Sequence, residues 1–370
     1  MDRERFVDMG IACAALTAAV TLQPWPSPAV VDDSLPIPVS PPLVATAFAL
    51  LALAGFLGRR YGWLGRWTGV VATVGGSTGA VIPSVSVIVV LTDAGIAVSI
   101  WPPLAVGLGV TTGVIGMVDW AELRVDDLLD RLDTLLVASI VAVTAVLATG
   151  IFDVLVGSIT TALLAVDRGL ADAVTGQLAA AAGLWLVVVV YLYWREGGIT
   201  SIDLRWLDTR DLLYCLGGFI GLLLVLLLSA ELLAGLGVPS SPSGVTEGAP
   251  EPRPELFLAV LLISALLVGP VEELLFRSVI QRSLYSSFTR ASSVVLSSIL
   301  YAAIYLPAYA TAPFSVALAG LSLAFTLSLV LAVTYARTDN VLVPALIHGA
   351  FNAFQYAVLY VAVVHEVGVG

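Results

Sequence analysis

Three groups of polar residues interrupt the apolar C-terminal half of this 370-residue chain. They are Glu272, Glu273 and Arg277; Tyr301, Tyr305 and Tyr309; and His348 with Asn352. Each group contains residues four apart, which lie on one face of an α-helix. Glu272 is the exception, since it precedes Glu273 directly and is turned about 100° away from it around the helix. A charged side chain at membrane depth costs about 2.5–3.5 kcal/mol even on the lenient insertion scale, so an acid pair there indicates a functional site.

The chemistry that these groups could carry is the activation of water. A carboxylic acid in an apolar pocket can take and return a proton near neutral pH. A neighbouring His can orient a water molecule, and Asn and Tyr side chains can stabilise a developing oxyanion. Glu273 can pair with Arg277, which leaves Glu272 as the candidate base. The set is therefore suited to water attack on a peptide carbonyl.

The composition requires these groups to be positioned by membrane-spanning helices. Apolar residues make up 59% of the chain and charged residues 12%, against roughly 25% charged in soluble domains. Since a helix needs about 20 apolar residues to cross the hydrocarbon core, we predict an all-α, polytopic transmembrane helical bundle with about eleven spans. The spans are predicted at residues 6–22, 42–57, 68–91, 103–118, 134–152, 178–194, 213–236, 256–276, 292–306, 314–335 and 341–363.

Arginine placement predicts the orientation of these spans. With eleven spans and a cytoplasmic N-terminus, the main arginine clusters all fall in cytoplasmic loops, as the positive-inside rule expects. These clusters are Arg59, Arg60 and Arg66; Arg195, Arg205 and Arg210; Arg277, Arg282 and Arg290; and Arg337. The opposite loops carry Asp32-Asp33, Asp93 and the Pro/Ser-rich stretch 238–254. The apolar part of segment 153–176 is compatible with an interfacial helix, which would leave this topology unchanged.

Two regions are predicted on either side of a seam near residue 200. Residues 1–199 form an N-terminal transmembrane helical region whose Ala/Val/Gly-rich spans hold no acid pair, and whose Gly75, Gly76 and Gly79 suggest close helix packing. Residues 200–370 hold all the candidate chemistry. Glu272 and His348 are expected at similar depth from the same membrane face, which a shared site requires.

The charge balance limits the partners and the environment. The net charge is -11, and all 16 basic residues are Arg, since the chain contains no Lys. An acidic chain without Lys suggests a protein that works in high salt, and it argues against nucleic-acid binding, which needs clustered basic groups. Cys13 and Cys215 are predicted as small core residues, and the first apolar segment as an uncleaved helix. His365 is expected in a solvated tail.

The order of these motifs resembles that of the CPBP intramembrane protease family, which includes the type II CAAX prenyl endopeptidases and bacteriocin-immunity-like proteins. The resemblance covers about residues 200–363. It is carried by Glu-Glu-x-x-x-Arg at 272–277 with Pro270 before it, and by His-x-x-x-Asn at 348–352 with Pro344 before it. The family's intervening aromatic-x-x-x-His motif maps onto 301–305, where Tyr305 stands in place of the His.

The resemblance implies roles for the site residues. Glu272 would activate the attacking water, and His348 and Asn352 would complete the site. Glu273 and Arg277 would support it, with Tyr301 keeping the family's aromatic residue. A catalytic zinc usually takes three protein ligands, and Glu272 with His348 alone makes a poor zinc site. Zinc is therefore poorly supported and no cofactor is favoured. In the metal-free mechanism, Tyr305 is expected as a hydrogen-bond donor.

The resemblance also implies a function with two competing versions. The leading version is a multi-pass endopeptidase of the cell membrane, surrounded by lipid and acting on a peptide or membrane-protein substrate, with CAAX-type C-terminal processing as the family's best-known task. The alternative is a catalytically impaired member that acts as a membrane binding, scaffold or immunity-like protein, because Tyr305 replaces the His. A transporter that uses Glu272 as a proton carrier is a third option.

A structural interpretation stands beside each catalytic one. The acid pair could be an ion-paired cluster that holds helices together, and His348 could be a core His hydrogen-bonded across helices. The tyrosines at 301, 305 and 309 could form a packing stripe whose hydroxyl groups find partners.

Overall fold

The computed structural model describes most of the chain. The described residues are 2–23, 25, 40–93, 99–122, 125–164, 168–195, 198–235, 254–309 and 313–364. The acidic loop residues Asp32-Asp33, most of the stretch 238–254 and His365 lie outside them, so the predictions for those positions stay predictions. Over the described part the fold is all-helical, as predicted. The chain divides into two compact units, Met1–Asp130 and Arg131–Gly370.

Eleven helices occupy the positions of the predicted spans in the described residues. Nine are long and apolar enough to cross a membrane, and the remaining two, Phe6–Thr21 and Arg290–Ala303, are shorter apolar helices. We number them α1 (Asp2–Thr21), α2 (Pro41–Arg60), α3 (Arg66–Asp93), α4 (Trp101–Ala121), α5 (Val125–Leu164), α6 (Arg168–Trp194), α7 (Thr209–Gly235), α8 (the run from Pro254–Ile263 through Arg282–Leu284), α9 (Arg290–Ala303), α10 (Phe314–Thr338) and α11 (Leu342–Val364).

The first unit is a cluster of four helices with small residues at their contacts. Helix α1 packs on α2 and α4, and α3 packs on α2 and α4. A Cβ on Gly76 would lie 2.6 Å from the backbone nitrogen of Ala52, so α2 and α3 approach closely at this glycine. Gly79 faces the Phe48 ring in the same contact, whereas Gly75 faces open space. Close packing is thus confirmed for Gly76 and Gly79 and wrong for Gly75.

The second unit is built around α8. The largest core cluster joins its residues to those of α5, α6 and α9, and α11 packs along α8 on another side. Helix α10 packs on α7 and α9. The cluster centres on fully buried α8 residues such as Val271, Leu275 and Phe276. Helix α8 therefore contacts the elements that carry each of the other candidate motifs.

Two wide helical turns interrupt α8 on either side of the acid pair. Residues Ser264–Val268 and Leu274–Gln281 form π-helical turns, with the α-helical stretch Gly269–Glu273 between them. The backbone N–H of Gly269 donates to the Ser264 carbonyl five residues back, and that of Arg282 donates to Arg277 in the same way. Such turns are rare and often lie at functional sites, because each shifts the faces that the following side chains occupy.

The helix boundaries correct two predictions. The apolar run after Asp153 continues α5 as far as Leu164, and α6 begins at Arg168, so no separate interfacial helix forms among the described residues of this segment. Helix α8 extends to Leu284 rather than ending near 276. Arg277 is consequently a helical residue and not a loop residue. It is fully buried, and Glu273 compensates its charge within the helix.

The prediction that the three tyrosines lie on one helical face is wrong, because a proline follows the end of α9. Helix α9 ends at Ala303, and Tyr309 lies in the short 3-10 turn Leu306–Tyr309. Pro307 lacks a backbone N–H, and its ring would clash with the carbonyl of Ala303 four residues before it, so the helix cannot continue. Tyr301, Tyr305 and Tyr309 therefore do not share one helical face.

Ion pairs and a hydrogen bond connect residues 203–205, which precede α7, to other helices of the same unit. Asp203 pairs with Arg282 at 2.5 Å and accepts a hydrogen bond of 2.6 Å from the Tyr335 hydroxyl. Arg205 donates to the fully buried carboxylate of Asp211 at 2.8 Å. These contacts fix where α7 begins relative to α8 and α10.

Helix α7 begins with a reciprocal cap. The Asp208 carboxylate accepts the backbone N–H of Asp211 at 2.8 Å, and the Asp211 carboxylate accepts the backbone N–H of Asp208 at 3.2 Å. This arrangement satisfies donors that a helix start would otherwise leave without partners. The hydrogen bond from Asp211 and the charge of Arg205 hold the pKa of Asp208 below its ordinary value.

Helices α8 and α11 cross at a pair of glycines next to the candidate site. A Cβ on Gly349 would lie 2.5 Å from the carbonyl oxygen of Ala265, and one on Gly269 would lie 3.2 Å from the backbone nitrogen of Gly349. Small residues allow this close approach in membrane bundles. The crossing brings His348, the neighbour of Gly349, to the acid pair.

We predict that Gly349→Ala lowers the stability of the folded protein by about 1–3 kcal/mol, because the added methyl group meets backbone that cannot move aside. Gly217→Ala is the matched control, since a Cβ at that helical glycine would meet nothing within 4 Å. Thermal unfolding in detergent, followed by size-exclusion recovery, measures both. Equal melting temperatures for the two variants would contradict the close crossing.

Candidate active site

A buried ion pair forms the base of the candidate site. The Arg277 Nε donates to the Glu273 Oε2 at 2.7 Å, and both side chains are fully buried. The Arg277 Nη2 donates to the Ser328 hydroxyl of α10 at 3.0 Å. The pairing expected from the four-residue spacing is therefore present, and it leaves one Glu273 oxygen for a second partner.

That second partner is His348. Its Nδ1 lies 2.8 Å from the Glu273 Oε1, and its Nε2 lies 3.8 Å from the Glu272 Oε2. The contact at Nδ1 fixes the ring so that Nε2 is directed toward Glu272. A carboxylate at Nδ1 also favours the tautomer that carries its proton there, which leaves Nε2 as an acceptor. Glu273 thus connects Arg277 to His348, a link that the sequence spacing does not reveal.

Glu272 is hydrogen-bonded to Tyr301 of α9, which in turn is hydrogen-bonded to Tyr305 just after that helix. The Tyr301 hydroxyl donates to the Glu272 Oε2 at 2.9 Å, and the Tyr305 hydroxyl lies 3.1 Å from the Tyr301 hydroxyl. Since the proton of Tyr301 is directed at Glu272, the Tyr305 hydroxyl donates to Tyr301. The Tyr301 ring is held edge-on by Phe276, with ring centroids 4.9 Å apart. Glu272, Tyr301 and Tyr305 form one hydrogen-bonded chain.

These groups face a cavity of about 470 Å³ inside the second unit. Four of the residues predicted from sequence line it, namely Glu272, Tyr305, His348 and Asn352. Tyr301, Glu273 and Arg277 lie behind this surface as the partners described above. The structure therefore brings all seven predicted residues into one connected arrangement, although Tyr309 is not among the cavity-lining residues.

Other residues of the site were not predicted. Ser328 bonds Arg277 from α10, and Gln177 of α6 and Ser264 of α8 line the cavity and bond each other at 3.1 Å. Isolated Ser and Gln residues in apolar helices are common hydrogen-bonding residues, so neither type nor spacing distinguishes these three in the sequence.

Metal binding at the cavity depends on the donor groups that face it. No group of three or more His, Cys, Asp or Glu side chains that could hold a metal occurs in the described part of the chain. The Glu273 carboxylate is engaged by Arg277 and His348, so Glu272 and the His348 Nε2 are the two donors directed at the cavity. A catalytic zinc typically takes three protein ligands, and this donor set does not fit it.

The long apolar helices are those of a multi-pass membrane protein, and the acid–histidine site lies buried among them. Residues 254–354 match the family model described as Rce1-like, type II CAAX prenyl endopeptidase Rce1-like. The match confirms, over this segment, the resemblance to the CPBP intramembrane protease family that the motifs indicate. No curated protein and no solved structure matches the chain.

We predict that Arg277→Met destabilises the protein by about 3–5 kcal/mol, because it leaves the buried Glu273 carboxylate without its cationic partner. Arg290→Met is the matched control. The Arg290–Asp339 pair is exposed, with side-chain exposures of 57% and 51%, and such pairs contribute less than about 1 kcal/mol. Unfolding of both variants in detergent gives the comparison, and an equal loss would contradict the central place of the buried pair.

Proposed function

We propose that the protein is an intramembrane endopeptidase of the cell membrane that hydrolyses a peptide bond with a water molecule activated by Glu272. The observation that carries this proposal is the convergence of Glu272, Tyr305, His348 and Asn352 on one cavity within the membrane-spanning bundle. Buried carboxylates with positioned polar partners are the equipment of general acid–base catalysis.

The proposed reaction begins with a water between Glu272 and the His348 Nε2. Glu272 takes one water proton as the oxygen attacks the scissile carbonyl carbon, forming a C–O bond. Asn352 donates to the developing oxyanion, and the Tyr305 hydroxyl turns from Tyr301 to do the same. Glu272 then returns its proton to the leaving nitrogen as the C–N bond breaks, which yields a carboxylic acid and an amine.

The supporting residues act by orientation. Arg277 neutralises the buried Glu273, and Glu273 holds the His348 ring so that Nε2 faces the water. Tyr301 donates to one oxygen of Glu272, which directs the carboxylate into the cavity. The mechanism uses no metal, and the donor set of two groups at the cavity supports this choice.

The proposed substrate is a peptide or membrane-protein segment, with CAAX-type C-terminal processing as the first candidate. The family match supports this class. Neither the match nor the site geometry favours the alternative of an impaired scaffold or immunity-like protein. That alternative depends on Tyr305, which keeps a hydroxyl at the cavity and so retains a donor where the family has His.

Glu272→Gln is expected to reduce peptide hydrolysis by at least about a thousandfold, because the amide cannot accept the water proton. Cleavage of a fluorogenic prenylated CAAX peptide by the purified protein in detergent or liposomes measures it. Glu231→Gln, an exposed position on α7, is the control and keeps the parent rate. A Glu272→Gln variant as fast as the parent would refute the proposed mechanism.

Tyr305→Phe is expected to lower kcat by roughly 100-fold, the order lost when one oxyanion donor is removed. Tyr309→Phe, a residue outside the cavity lining, should leave kcat unchanged. Tyr305→His should keep activity within about tenfold of the parent, because the imidazole restores a donor. An inactive parent together with an active Tyr305→His variant would establish the impaired alternative instead.

A further inference from the structure

The wall of the cavity includes a polar pair that the proposed mechanism does not use. Gln177 of α6 and Ser264 of α8 both line the cavity that holds Glu272. The Ser264 hydroxyl donates to the Gln177 Oε1 at 3.1 Å, and Ser264 is only 3% exposed. A hydroxyl and an amide placed against each other in this way are held at defined positions.

The location of Gln177 is set by tight packing of α6. Leu184, Val187 and Val188 belong to the same core cluster as the α8 residues next to the acid pair. On its other side α6 approaches α5 closely, since a Cβ on Gly183 would lie 2.6 Å from the backbone nitrogen of Thr149. The amide is therefore presented by a rigid helix and not by a loop.

The bond from Ser264 holds the amide by its oxygen. A glutamine amide has one oxygen that accepts and a nitrogen with two hydrogens that donate. Ser264 engages the oxygen, so the nitrogen is the end suited to a ligand acceptor. A carbonyl oxygen of a peptide backbone is such an acceptor.

A peptide that enters this cavity brings backbone groups that need partners. An unsatisfied backbone carbonyl inside a membrane costs several kcal/mol, because no bulk water is present to bond it. The cavity lining combines apolar side chains with the amides of Gln177, Asn352 and Gln355. The proposed mechanism uses Asn352 at the scissile carbonyl. Of the other two amides, that of Gln177 is held by the Ser264 hydroxyl, which suits it to bond a carbonyl farther along the substrate.

We propose that Gln177, oriented by Ser264, forms a subsite that binds a backbone carbonyl of an extended peptide substrate. This inference rests on the proposed function and deepens it. Gln177 lies within residues 1–199, outside the segment 254–354 that matches the family model. The subsite thus assigns a task to α6, namely holding the substrate while the residues of α8, α9 and α11 carry the chemistry.

The test measures binding and turnover separately. In the Glu272→Gln background, which blocks turnover, fluorescence anisotropy gives the Kd of an N-dansylated prenylated tetrapeptide for the full-length protein in detergent. Gln177→Leu, close in volume but without hydrogen bonds, should raise this Kd about fivefold, as the loss of one hydrogen bond predicts. In the otherwise unaltered protein it should raise KM by a similar factor and leave kcat within about twofold.

Two further variants separate positioning from general packing. Ser264→Ala should raise Kd about twofold, and adding it to Gln177→Leu should have no further effect, because Ser264 acts through Gln177. Leu178→Ala is the control on the same helix, at an exposed position, and should bind like its parent. Gln177→Met replaces Gln177→Leu if that variant does not elute as folded protein.

The outcomes distinguish the two proposals. If the Glu272→Gln protein binds the peptide and Gln177→Leu does not change the Kd, the subsite is refuted and the proposed function stands. Additive effects of Ser264→Ala and Gln177→Leu would refute the orienting role of Ser264. If the Glu272→Gln protein binds no peptide and the parent cleaves none, both the subsite and the proposed function fail.

Discussion

The ion pair between Glu273 and Arg277 is the interaction on which the rest of the site depends. Two opposite charges at 2.7 Å with no exposed surface persist only because each compensates the other and both have further hydrogen bonds. The free Glu273 oxygen then fixes the ring of His348. Since Nε2 faces Glu272 only with the ring in this orientation, the geometry at the cavity follows from a pair that lies behind it.

The backbone near this pair shows how the helices bring the groups together. Glycines at 269 and 349 let α8 and α11 approach closely enough for a short histidine side chain to reach the acids. The π-helical turns of α8 flank the stretch that carries Glu272 and Glu273. Pro307 ends α9 early and places Tyr305 in a turn, where its hydroxyl still reaches Tyr301 at 3.1 Å. Close helix packing and local irregularities of the backbone together set the positions of the acid pair, His348 and Tyr305.

The candidate site lies within the second unit of the chain, Arg131–Gly370. The first unit, Met1–Asp130, is a separate cluster of helices that packs through small residues. Helix α6 belongs to the second unit and packs against α8, although it precedes the segment that matches the family model. The proposed boundary at residue 200 rests on composition and motif order and stays a prediction. The structure adds that a helix before this boundary lines the cavity with Gln177.

The sequence by itself determined the all-helical membrane class, the approximate positions of the helices and the polar residues that meet at the candidate site, because hydropathy, helical spacing and motif order are local properties. Only the tertiary structure decided the contacts between Glu273 and His348, between Tyr301 and Glu272, and between Ser264 and Gln177. These residues lie on different helices, and which helices touch depends on close approach at glycines and on packing across the whole unit. The end of α9 was the exception that the sequence could have given, since Pro307 clashes with a carbonyl only four residues away.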